Sequence, residues 1–213
     1  MSLNLILPFI STAIMAVFTI WVLQKFVTRR KAHFLFWGLG LAMFGTGSFA
    51  EAYLALDWNR WVFFSWYLFG AALNAGWIGH GTLYLLVRKR WVHVITAILV
   101  VGSVIATIMM LQTMPLLDAS NFTTNLPISE QYSEIFPSVS EGAAVRLTTP
   151  FFNIYGLVTL VGGAIYSSYL FWRKRVMPNR VIGNVLIAAG ALSIGVASSM
   201  TRFGMGNSLY LGE

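Results

Sequence analysis

No cysteine occurs in the 213 residues, which excludes disulfides, thiolate catalysis and Cys-ligated zinc or iron–sulfur centres. Charge is nearly as scarce: 10% of residues are charged and only seven are acidic, against ~25% charged in an ordinary soluble domain. Most of this protein's surface is therefore not built to face water. Neither a Gly-rich phosphate loop followed by Lys and Ser/Thr nor an H-E-x-x-H is present, so nucleotide hydrolysis and zincin proteolysis lack their parts. No lysine falls in the interior of a long apolar run, Lys25 standing at the end of the first, which removes the Schiff base that a retinal pump requires. The N-terminus has no basic stretch before its first apolar run and no small-residue cleavage site after it; it reads as a membrane helix and not as a signal peptide.

Hydrophobic residues instead make up 57% of the chain, with 16 Phe and 8 Trp. Six runs are long enough to cross ~30 Å of hydrocarbon as helices: 4–27, 33–56, 61–87, 91–113, 149–172 and 179–203. The period-2 alternation of an outer-membrane barrel is absent. The expectation is an all-α, polytopic transmembrane helical bundle of six spans, or seven if the chain continues. It forms one transmembrane domain over 1–213, with a long external loop at about 113–148.

Eleven of the fourteen basic residues fall in or beside three short turns, around Arg29, Arg30 and Lys31, around Arg88, Lys89 and Arg90, and from Arg173 to Arg180, and none of the seven acids lies there. By the positive-inside rule these turns face the cytoplasm and the N-terminus is external. The net charge of +7, which in a soluble protein would point to nucleic acid, is then a sorting signal. Membrane lipids are the expected partners, anionic lipid at the basic turns, with a homo-oligomer or a larger membrane complex also open and no nucleic acid. The 113–148 loop contains Pro115, Pro127 and Pro137 and exceeds the usual ~4–6 residues of a connection; it is either a functional cap or a mobile segment.

Glu51 is the one acid within the second run. Stepping back at helical spacing from it meets Gly47, Phe44 and Gly40, a small-residue face that lets backbones approach. On the sixth run, Asn184, Gly195 and Arg202 share a small-and-polar face. Arg202, or Arg146 ahead of the fifth run, is the expected cation for Glu51. Exposure of Glu51 at headgroup depth and a proton-coupling role stay open. Asn74 and Asn153 stand near the middle of their runs as interhelical hydrogen-bonding groups, and Gly163 continues the packing face of Asn153.

All three histidines lie toward the basic side, and only His80 is well inside an apolar run. A haem at His80 would need His93 or His33 as its second axial ligand; hydrogen bonding to Tyr84, one turn on, is the alternative. Three scattered histidines do not make a metal site, so neither a metal nor a cofactor is expected otherwise.

The stretches "FWGLGLAMFGTGSFAEAY", "TPFFNIYGLVTLVGGAIYSSYLFWRKRVMPNRVIGNVLIAAGA" and "LYLGE" resemble uncharacterised bacterial multi-span membrane proteins. The resemblance implies a helical inner-membrane bundle and no activity. The leading functional expectation is a nonenzymatic sensor, scaffold or subunit of a membrane assembly. A small-solute or ion transporter and a haem- or quinone-binding membrane enzyme are the alternatives. A continuous polar path joining Asn74, Asn153 and Glu51 to a surface would mark the transporter.

Overall fold

The structure is a computed structural model that describes residues 3–87 and 89–173, with isolated helical positions between 182 and 193. Every regular element described is helical: α1 Leu3–Arg29, α2 Ala32–Leu54, α3 Arg60–Ser65, a π-helical segment Trp66–Leu73, α4 Asn74–Leu86, α5 Trp91–Thr113, α6 Ile128–Ile135 and α7 Thr148–Arg173.

α1 and α2 form an antiparallel hairpin. Arg30 takes a left-handed conformation at φ 51°, and its N–H returns to the Phe26 carbonyl at 2.8 Å, which ends α1 as left-handed caps usually do. A Cβ on Gly45 would lie 3.1 Å from Met15 Cβ, and Ser11 and Ser48 pair through their hydroxyls at 3.2 Å.

The third apolar run is one rod in three pieces. Asn59 caps α3 by accepting from the amides of Trp61 and Val62, a side chain suited to the orphan donors of a helix start. The π segment then widens the turn. Where a π ladder returns to α register one carbonyl falls out of the pattern, and two asparagine amides serve carbonyls at that point. Asn74 Nδ2 donates to Gly70 O at 2.7 Å, and Asn153 Nδ2 donates across from α7 to Ala71 O at 3.2 Å. Both asparagines join elements and neither lines an open path.

α2 runs antiparallel to this rod, and α7 runs parallel to it. Gly47 faces Gly70 so closely that a Cβ would lie 3.1 Å from the Gly70 nitrogen. On the other side a Cβ on Gly79 would reach the Gly156 Cα at 2.9 Å. Such contacts set helix separation where lipid supplies no hydrophobic driving force between helices.

Three described helices are long and apolar enough to cross a membrane: Ile6–Arg29, Trp91–Leu116 and Ala144–Arg173. This corrects the expected six spans, or seven. The run 33–56 does form a helix, but its Gly, Ser, Thr and Trp residues and Glu51 dilute its apolarity, and seven of its residues, including Gly38, Gly40 and Gly47, are buried. The run 61–87 is divided by the π segment into pieces each too short to qualify. The run 179–203 lies mostly outside the described residues. Apolar length in sequence therefore counted as spans two runs that, as folded helices, fall short in apolarity or in unbroken length.

The long loop folds into a cap on the end of the bundle opposite the basic turns. It consists of a 3-10 turn at Met114–Leu116, α6, and two further 3-10 turns, Val139–Glu141 and Ala144–Leu147. Ile128, Ile135, Phe136 and Val145 are buried in the same apolar cluster as Phe63, Leu68 and Met110 of the bundle. Phe136 packs on Tyr67 at 4.4 Å between ring centroids, and Tyr132 packs on Trp66 at 5.8 Å. Cap and π segment thus share one aromatic core. Gln131, itself buried, closes the cap by accepting from the Thr123 N–H and donating to the carbonyls of Thr123 and Leu126 at 3.0, 2.8 and 2.7 Å.

Candidate functional site: a buried histidine network

His80 is 0% exposed, and both of its ring nitrogens are occupied. Nδ1 lies 2.6 Å from the Tyr155 hydroxyl of α7, and Nε2 lies 2.9 Å from the Thr96 hydroxyl of α5. Thr96 in turn donates to its own helix at Val92 O, 2.9 Å away. With that proton committed, Thr96 accepts from His80, so the neutral imidazole carries its hydrogen on Nε2 and Tyr155 donates to Nδ1. A buried imidazole with one donor and one acceptor satisfied carries no desolvation penalty from an orphan group.

The network continues outward. The Tyr84 hydroxyl sits 3.0 Å from Thr96 Oγ1 and 2.8 Å from His93 Nδ1, and His93 is exposed at the start of α5. A hydrogen-bonded sequence Tyr155–His80–Thr96–Tyr84–His93 therefore leads from the interior to the basic end of the bundle. Phe36 of α2 walls it, stacked on Tyr84 at 4.9 Å and 15° and edge-on to His80 at 4.7 Å. The Gly79–Gly156 contact explains why Tyr155 reaches His80: with no side chain at either position, α4 and α7 approach close enough for one hydroxyl to bridge them.

Sequence reasoning placed His80 in the interior and offered Tyr84 as its hydrogen-bond partner; the structure instead sets the two rings edge-on at 5.2 Å, with the Tyr84 hydroxyl on Thr96 and His93. It missed Tyr155 and Thr96, the residues that bond to the imidazole. The only signal was a hydroxyl within each otherwise apolar helix, and such residues are common. A haem at His80 would have to break the bond to Thr96 or Tyr155. His93 is engaged with Tyr84, and His33 packs on Phe34 and Trp37 at 4.2 and 5.1 Å. Among the described residues no three His, Asp or Glu side chains cluster as a metal site would need.

The remaining predicted positions are dispersed. Gly40 lies against the Ile78 backbone, whose nitrogen is 2.7 Å from where a Cβ would be, and Gly163 lies against Thr82 and Leu86. Glu51 is partly buried near the cap end of α2. Arg146 works inside the cap, donating to the carbonyls of Phe136 and Pro137 at 3.2 and 2.9 Å with its guanidinium 5.6 Å from the Phe136 ring centroid. Arg202, Asn184 and Gly195 lie outside the described residues. In the cap, the Ser138 N–H and hydroxyl both donate to Glu141, at 2.7 and 2.8 Å. These bonds hold the Glu141 carboxyl below its ordinary pKa, with a smaller contribution from Arg146. Ser120 does the same for Asp118, chiefly through its backbone N–H.

Comparison with protein-family models, with curated proteins and with solved structures finds no match to this chain. The resemblance to bacterial membrane proteins therefore reduces to its coarse form: no family, taxon or activity follows from it. What stands is a multi-span, all-helical membrane protein with three candidate membrane-spanning helices.

Proposed function

We propose that the protein is a nonenzymatic sensor component of a membrane assembly, and that the His80 network is the part that changes state. In this reading the basic turns face the cytoplasm of a bacterial cell, the cap faces outward, and the protonation of the network follows the cytoplasmic side. The carrying observation is a fully buried histidine connected by three hydrogen bonds to an exposed one.

Protonation has a defined consequence here. An imidazolium donates from both nitrogens, so Tyr155 would have to stop donating to Nδ1 and turn its proton elsewhere. The ionisable groups on or beside the network are Tyr155, Tyr84 and His93. No carboxylate occurs in the described parts of α4, α5 or α7, so a buried cation would go uncompensated and the packing of these helices would have to give.

Transport is less well supported. Asn74 and Asn153 each hold a main-chain carbonyl, and Trp77 Nε1 donates to the Ser103 hydroxyl at 3.1 Å, so the polar groups toward the cap are locally satisfied and do not extend the network.

Hydrogen exchange in lipid nanodiscs between about pH 8 and about pH 4, a range carried below the ordinary histidine titration because burial disfavours the imidazolium, tests the reading. Acid should lower the protection of amides in 74–86 and 148–160 of the native protein, measured against the intrinsic exchange rate at each pH. His80→Gln, which keeps a donor and an acceptor but does not titrate, should abolish the change. Identical pH responses in the two proteins would refute the proposal, and proton-driven solute uptake into proteoliposomes would replace sensing by transport.

A further inference from the structure

At the basic end, α4, the start of α5 and α7 border a groove of about 580 Å³, within the ~300–1,000 Å³ usual for small-molecule sites. Its walls are Leu83, Leu86 and Val87 from one side and Val158 and Gly163 from the other. Gly163 forms part of the floor, closed from beneath by the Thr82 and Leu86 side chains. Lys89, Trp91 and Tyr166 stand at the rim, and all three are exposed.

We infer that this groove binds one anionic glycerophospholipid, its acyl chain along the leucine and valine walls and its phosphate at Lys89. Charge complementarity carries the assignment. Arg88 and Arg90 flank Lys89 in the sequence and all seven acids of the chain lie in other segments, so no acidic residue adjoins Lys89 along the chain to neutralise it. An apolar trough that opens onto a cationic rim fits a molecule with a long hydrocarbon tail and a phosphate head, and fits neither a free anion nor a neutral solute. The rim also contains the groups that mark headgroup depth: a tryptophan, a tyrosine and a lysine whose stem can lie along apolar surface while its ammonium stays at the interface. Trp172, at the end of α7, is exposed at the same end of the bundle. This inference does not depend on the sensing reading.

The test is native mass spectrometry of the detergent-purified full chain titrated with phosphatidylglycerol or phosphatidylcholine. The native protein should retain one phosphatidylglycerol in preference to phosphatidylcholine. Lys89→Gln should reduce that preference about fivefold, the order expected for one cation near an anionic headgroup. Val158→Trp, at a position 64% exposed and therefore harmless to the interior, should fill the groove and remove bound lipid of both kinds while leaving the thermal transition unchanged. Equal retention of the two lipids by the native chain, an unchanged preference in Lys89→Gln, or full lipid occupancy in a folded Val158→Trp would each overturn the assignment.

Discussion

His80 and Tyr155, 75 residues apart, meet at 2.6 Å between ring nitrogen and hydroxyl, and this contact joins α4 to α7 in the interior of the bundle. Removing the hydroxyl leaves the shape of the tyrosine nearly intact and strands Nδ1, so Tyr155→Phe isolates the hydrogen bond from the packing. Leaving a buried acceptor without its donor costs ~1–3 kcal/mol. Unfolding in mixed micelles should show that loss for Tyr155→Phe. A variant as stable as the native chain would mean that His80 Nδ1 is satisfied by another group.

Two glycines on different helices provide a matched pair. Gly47 faces Gly70 backbone, whereas a Cβ on Gly162 would meet nothing within 4 Å. Gly47→Ala should force α2 off the π segment and cost ~1–3 kcal/mol, as overpacking does. Gly162→Ala should be neutral or stabilise by up to ~1 kcal/mol, because alanine loses less chain entropy in a helix. Equal melting temperatures for the two variants would show that the α2 contact is loose.

The cap depends on Gln131. Its amide satisfies one N–H and two carbonyls of the 123–126 segment. Gln131→Leu, similar in volume, should expose 119–127 to proteolysis while the membrane helices stay folded. Unchanged cleavage kinetics would indicate that the aromatic contacts alone hold the cap.

Glu141 makes the cap sensitive to acid. Its carboxyl is held below its ordinary pKa by the two Ser138 donors, so the folded state binds the proton less readily than the unfolded one. The associated stability is present above the ordinary carboxylate range and is lost as pH falls through the lowered folded value. Protection of the 138–142 amides, measured against the intrinsic exchange rate at each pH, should therefore fall on acidification below about pH 4.5, and Glu141→Gln should flatten that fall. A pH-independent profile in the native protein would sink the prediction.

Several features were legible along the chain because they depend on local chemistry. Helical periodicity, the basic turns and the burial of His80 follow from residue type and spacing alone. The π segment was not legible: "WYLFGAAL" reads as ordinary helix, and the altered ladder is supported by Asn153, a residue 82 positions beyond Ala71 that no local pattern connects to it. The cap was left open between an ordered and a mobile state because its core is borrowed. Phe136 and Ile135 are buried only because Phe63 and Tyr67 lie beneath them.

By itself, then, the sequence determined an all-helical membrane chain with one basic end, since apolar length and charge asymmetry act on each segment separately. The tertiary structure alone decided which apolar helices face outward and which lie inside. α1, α5 and α7 have the length and apolarity to span. α2 and the 60–86 rod give their glycine faces to neighbouring backbones, and hydropathy does not distinguish a side chain that meets lipid from one that meets another helix. The His80 network likewise exists only where α4, α5 and α7 converge, because its hydrogen bonds are set by helix separation, and that separation is set by glycines that carry no chemistry of their own.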